Sequence, residues 1–139
     1  RALCEDPGLA GSLLRIQREL FAVGADLATA PGQREKLVAG VSLTSAELVE
    51  RLETEIDAEV NRKPLPQEFI VPGANPVSAA LDVARATARR AERRSVELGE
   101  LGVEVNPEVV RYLNRLSDLL FVLARSAAGG AEPPSRGDQ

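Results

Sequence analysis

Five arginines and one glutamate crowd the stretch ARATARRAERR, residues 84–94. On a helix of 3.6 residues per turn they do not form one patch. Arg85, Arg89 and Glu92, spaced i, i+4 and i+7, share one border of a small-residue stripe made by Ala80, Ala84, Ala88, Ala91 and Ser95, with Arg93 nearby. Arg90 and Arg94 fall on the far side, and the stripe itself is expected to face the core. A second polar file, Asn114, Asp118, Phe121 and Arg125, borders the apolar stripe Val109, Leu113, Leu116, Leu120, Leu123 and Ala127. If the two borders meet, guanidinium groups face a carboxylate, an amide and a phenyl ring. Two chemistries fit that meeting. One is an ion-pair network between Arg85 or Arg89 and Asp118 or Glu92, which satisfies charges at a helix interface. The other is an anion site, because arginine forks match phosphate oxygens and positive charge outnumbers negative along the border. Spacing leaves both open.

Composition narrows what else the chain can do. Its 139 residues are 44% hydrophobic, enough for one domain with a real core. Seventeen Lys+Arg against 21 Asp+Glu give a net charge of −4. That is the wrong sign for a general nucleic-acid binder. Histidine is absent, which removes the usual general base and the commonest metal ligand, and Cys4 stands alone, so no zinc cluster or internal disulfide can form. A reducing cytoplasm fits this cysteine usage. No apolar run approaches the roughly 20 residues that span a bilayer. The chain also contains no methionine, so sequence is expected to precede Arg1.

Four helices must position the two polar files. Asp6-Pro7 opens the first, with Leu9, Leu13, Ile16, Leu20, Val23 and Leu27 as its buried stripe and Pro31-Gly32 beyond its end. Thr44 and Glu47 have capping-box spacing for the second, whose apolar side is Val49, Leu52, Ile56 and Val60. Its other sides, with Glu47, Glu50, Glu53, Glu55, Asp57 and Glu59, read as a solvated face rather than a cation site. Asn75-Pro76 caps a third helix to about residue 98, and Asn106-Pro107 a fourth to about residue 127. The proline-rich connection NRKPLPQEFIVPGANP cannot be helix interior, and its apolar Phe69 and Val71 are expected to cover part of the bundle or a ligand. The expected architecture is an all-α antiparallel helical bundle over residues 1–127. Residues 128–139, rich in Gly, Pro and polar types, are expected to be a disordered tail.

The segments FIVPG, AALDVARATARRAERR and YLNRLSDLLFVLAR, in this order, resemble the PduO-type ATP:cob(I)alamin adenosyltransferases, and IQRELFAVGADLAT resembles an earlier helix of that family. The resemblance covers residues 13–125 and implies a homotrimer of five-helix bundles with sites between subunits. It implies transfer of the 5′-deoxyadenosyl group of ATP, bound with Mg²⁺, to reduced cobalamin, giving adenosylcobalamin and triphosphate, with product passed to an adenosylcobalamin-dependent enzyme. Arg89, Glu92 and Asn114 resemble the family's ATP contacts. Arg85 and Arg89 match its catalytic arginines, and Arg85 resembles one that pairs with an aspartate near the neighbouring subunit's site. Phe69 resembles the aromatic residue at the lower face of the corrin that displaces the dimethylbenzimidazole ligand. Arg93, Arg115 and Asp118 match positions of structural or interface character. No resident metal site is implied.

The chemistry suits a protein without histidine. Cobalt is itself the nucleophile, so the protein has only to orient the ribose 5′ carbon, balance leaving-group charge with arginines and keep water away. Three departures stand out. The family's glycine-rich nucleotide loop and the start of its first helix do not occur in this sequence, and Arg1-Ala2-Leu3 resembles the last turn of that helix. Asp82 stands where the family often has histidine, and beyond Ser126 the tail follows no family pattern. A non-catalytic nucleotide- or corrinoid-binding sensor or carrier of the same fold is the alternative reading.

Overall fold

The computed structural model describes residues 1–137. Helix α1, Pro7–Ala28, starts where Asp6 accepts from the amides of Gly8 (2.7 Å) and Leu9 (3.3 Å), while Pro7 sits where a missing N–H costs nothing. A 3₁₀ turn over Pro31–Lys36 follows, and α2 spans Ala46–Arg62. Helices α3, Pro76–Glu100, and α4, Pro107–Ala128, both open on Asn-Pro as the spacing predicts. Asn75 forms a reciprocal capping box with Ser78, and the Asn106 side chain accepts from the amide of Glu108 at 3.0 Å.

Long-range polar contacts fix the helix directions. Arg15 meets Glu55 and Asp26 meets Thr44, so α1 and α2 run antiparallel. Thr44 with Asn106, Glu53 with Arg115 and Arg62 with Ser126 ascend together, so α2 and α4 are parallel. Asp82 with Arg125 and Glu92 with Asn114 run in reverse order, so α3 and α4 are antiparallel. Direction therefore alternates along the chain, as in an antiparallel bundle. Helix α4 is central and packs on all three others. Val109, Tyr112 and Leu119 on α4 and Val49 and Leu52 on α2 have no exposed surface, and each such side chain contributes about 1.5–3 kcal/mol by leaving water.

Helix α1 is rotated from its expected register. Leu20 and Leu27 are exposed, while Glu19 and Asp26 are buried beside Ile16, Ala22 and Val23. The reason is polar. Asp26 accepts from the Thr44 amide (2.9 Å), Asn106 Nδ2 (2.7 Å) and Arg34 Nη2 (2.6 Å), so a carboxylate joins α1, the connection before α2 and the start of α4. Burial alone would raise the Asp26 pKa, but these hydrogen bonds outweigh it and hold the group below the ordinary carboxylate range. Glu19 takes Arg15 at 2.7 Å and the Tyr112 hydroxyl at 2.8 Å. Burial, and then the charge of Glu19, push the Tyr112 pKa far above its usual value.

The start of α2 also differs. Ser45, not Thr44, is the N-cap, and Thr44 is buried with its amide committed to Asp26. The buried residues of α2 are Leu48, Val49 and Leu52, so its apolar side begins one residue earlier than expected. On α3 only Ala88 and Ser95 of the small-residue stripe are buried. Ala80, Ala84 and Ala91 instead line an apolar groove between α1 and α3, floored by Leu113, Leu116 and Leu120 of α4.

The segment after α4, expected from composition to be disordered, has defined partners up to Ser135. Gly129 and Gly130 take positive φ values of 65° and 81°, where a side chain is strained, and turn the chain back. The Val71 amide then donates to the Pro133 carbonyl (2.9 Å) and the Ser135 amide to the Phe69 carbonyl (2.7 Å). Ile70 lies opposite Pro134 in antiparallel pairing. Residues 138 and 139 of the expected tail lie outside the described residues.

Candidate nucleotide and corrinoid site

The two polar borders meet along the α3–α4 seam. Glu92 uses one carboxylate oxygen to accept from Arg89 Nη1 (2.5 Å) and the other to accept from Asn114 Nδ2 (3.0 Å). The three residues matched to ATP contacts are thus one cluster. Its two sides differ in access, with the Glu92 side chain 14% exposed and that of Arg89 42%. Glu92 is held from both sides, and the Arg89 side chain bonds to no other group among the described residues. Of the ion pairs open to the sequence reading, Arg89 with Glu92 forms.

Asp118 does not join this cluster. Arg115 donates to it at 3.0 Å and also to Glu53 of α2 at 3.0 Å, so this part of the file turns toward α2. Arg93 is exposed, and among the described residues no carboxylate lies within ion-pair reach of Arg93 or Arg85. Arg85 instead stacks over the Phe121 ring, 5.3 Å from its centroid. Arg125 covers the same ring at 5.1 Å. An aromatic face attracts a guanidinium without satisfying its N–H groups, so Arg85 retains donors for an anion.

Arg125 stands at the end of the border file with no partner expected from spacing. It is a buried hub, its side chain 6% exposed, bonded to Asp82 of α3 and 2.8 Å from Glu132 beyond α4. Asp82, where the related pattern often has histidine, thus serves as a counter-charge. The i, i+4, i+7 file contained Phe121 and Arg125, but nothing local flagged Glu132, which lies past two glycines in a polar segment.

Phe69 extends from the connection between α2 and α3 and is 88% exposed. It does not cover the bundle, which corrects the first of the two roles expected from sequence. Ile70, next to it, lines a cleft with Arg62, Lys63, Arg125, Ser126 and Glu132. Phe69 is thereby joined to the end of the α3–α4 seam that carries Arg125.

This assembly of anion-ready arginines and an exposed aromatic can be set beside known proteins. The family model for cobalamin adenosyltransferase matches residues 1–127. The corrinoid adenosyltransferase of Bacillus subtilis (strain 168) is 44% identical over 117 residues, covering 84% of this chain and 57% of that protein. The corrinoid adenosyltransferase of Mycobacterium tuberculosis (strain ATCC 25618 / H37Rv) is 42% identical over 126 residues, covering 88% and 63%. The chain therefore spans less than two thirds of these relatives. A variant PduO-type ATP:corrinoid adenosyltransferase from Lactobacillus reuteri, solved in complex with cobalamin and ATP, superposes with a TM-score of 0.82 at 33% identity, covering 96% of this chain and 71% of that one. No helix among the described residues is long and apolar enough to cross a membrane. The chain belongs to the cobalamin adenosyltransferase family.

Proposed function

We propose that this chain carries the corrinoid-facing part and one side of the nucleotide site of an ATP:cob(I)alamin adenosyltransferase. The observation that carries the reading is the Arg89–Glu92–Asn114 cluster, in which a half-buried carboxylate orients an arginine whose other donors stay free. In the proposed reaction the cobalt of reduced cobalamin attacks C5′ of ATP, the new bond forms between cobalt and carbon, and triphosphate leaves with the electrons of the broken C–O bond. Arg89 and Arg85 balance the charge that develops on the triphosphate of MgATP. Glu92 and Asn114 fix the position of Arg89 and the adjoining part of the nucleotide. Phe69 would present an apolar face to the corrin, which excludes water and displaces the dimethylbenzimidazole ligand. Arg93, Arg115 and Asp118 serve packing or contact between subunits.

Several parts of this reading concern the whole protein. We place the domain at residues 1–127, the assembly as a homotrimer with Arg85 near the neighbouring subunit's site, the compartment as the cytoplasm, and the consumer of the product as an adenosylcobalamin-dependent enzyme. The test is calorimetric titration of the full-length protein with MgATP, followed by anaerobic adenosylation of reduced cobalamin. Micromolar binding with formation of adenosylcobalamin is expected. Binding without product supports a sensor or carrier instead, and unchanged ATP affinity in the Arg89→Ala, Glu92→Ala double variant removes these residues from the site.

A further inference from the structure

Phe69 poses a mechanical problem. An exposed phenyl ring on a connection that carries Pro64, Pro66 and Pro72 has no helix to hold it, yet a lower-face residue must sit at a defined height. Two backbone hydrogen bonds tie its segment to residues 133–135, and Pro134, which has no N–H, adds no rung of its own. So short a ladder is marginal by itself. Glu132 immediately precedes it. Its side chain is 4% exposed and lies 2.8 Å from the Arg125 guanidinium. The Nε–Oε2 approach is off the hydrogen-bond line, and Glu132 Oε1 is buried with no donor, so charge attraction to Arg125 is what holds this carboxylate. Arg125 is in turn fixed by Asp82 and by the Phe121 ring, on which Arg85 also stacks.

We propose that Glu132, anchored on Arg125, is a positioning residue that sets Phe69 over the corrinoid site through the ladder between residues 69–71 and 133–135. It touches no substrate. Its effect passes through the backbone to Phe69, and the same Arg125 links that ladder to the stack bearing Arg85. The anchor rests on the adenosyltransferase reading above for its function, but not for its existence.

The experiment compares full-length wild type with Glu132→Gln, Ser135→Pro and Phe69→Ala. Glu132→Gln removes the charge and keeps the shape. Ser135→Pro removes the amide that donates to Phe69 and leaves the ion pair alone. Hydrogen exchange at the Val71 amide is expected to accelerate about tenfold or more in both, as loss of a charge-held anchor implies, while α4 core amides keep their protection and report intact folding. The KM for reduced corrinoid should rise about tenfold in both, with the KM for ATP within about twofold of wild type. Unchanged exchange at Val71 in Glu132→Gln overturns the anchor. Faster exchange with an unchanged corrinoid KM, in a protein where Phe69→Ala raises it, overturns the positioning role. If Phe69→Ala leaves corrinoid KM and turnover at wild-type values, the assignment of Phe69 itself fails, whatever the ladder does.

Discussion

Two polar regions of this bundle use similar residues to opposite ends. Around Glu19 and Asp26, on the α1 side, every buried carboxylate is surrounded by donors from two or three elements. Along the α3–α4 seam, Arg89 and Arg85 are held on one side only, by Glu92 and by the Phe121 ring. The first arrangement turns its carboxylate acceptors inward onto protein donors, although the Thr44 hydroxyl beside them stays without a partner. The second leaves directed donors at the surface, an arrangement that costs little in the empty protein and gains most when an anion arrives.

Breaking the first region should cost stability and little else. Asp26→Ala strands the Thr44 amide and takes a buried carboxylate from Asn106 and Arg34, and about 3–5 kcal/mol of unfolding free energy should be lost in urea titration. The second region should respond in the other currency. Arg89→Ala is expected to weaken MgATP binding about tenfold or more by calorimetry, while shifting unfolding free energy by no more than about 0.5 kcal/mol. Should Arg89→Ala destabilise as much as Asp26→Ala, the distinction between the two regions collapses and the seam is a structural ion-pair network.

Smaller changes sharpen the contrast. Tyr112→Phe removes one donor from Glu19 without a large cavity and should cost about 1–2 kcal/mol. The depressed pKa of Asp26 also sets a pH dependence. Below the ordinary carboxylate value the unfolded chain takes up a proton that folded Asp26 resists, so stability falls as pH drops through that window and is fully present above it. Asp26→Asn, less stable at neutral pH, should show a shallower acid limb in urea midpoints measured from pH 6 to 3. At the bottom of the scale, Arg94→Ala breaks an exposed i, i+3 pair with Glu97 and should leave both the urea midpoint and ATP affinity indistinguishable from wild type.

How much of this was legible in the sequence depended on how local each signal is. Asn-Pro marks the starts of α3 and α4 because cap and first-turn chemistry lie within three residues. The meeting of Arg89, Glu92 and Asn114 followed from helical periodicity on two segments. The register of α1 did not, because leucine spacing points to Leu20 and Leu27, whereas Glu19 and Asp26 find their donors as far away as Tyr112 and Asn106. Glu132 was equally hidden. A glutamate among glycines and prolines reads as solvated tail until the turn after α4 is seen to bring it back to Arg125, seven residues earlier.

The central place of α4 also bears on how the protein is made. This helix carries more than half of the buried hydrophobic residues and packs on α1, α2 and α3 alike, yet it is made after all three. Until Pro107 and the turns after it emerge, the apolar faces of three helices have no common surface to close on. Those stripes therefore stay open to chaperones or to neighbouring chains until α4 is made.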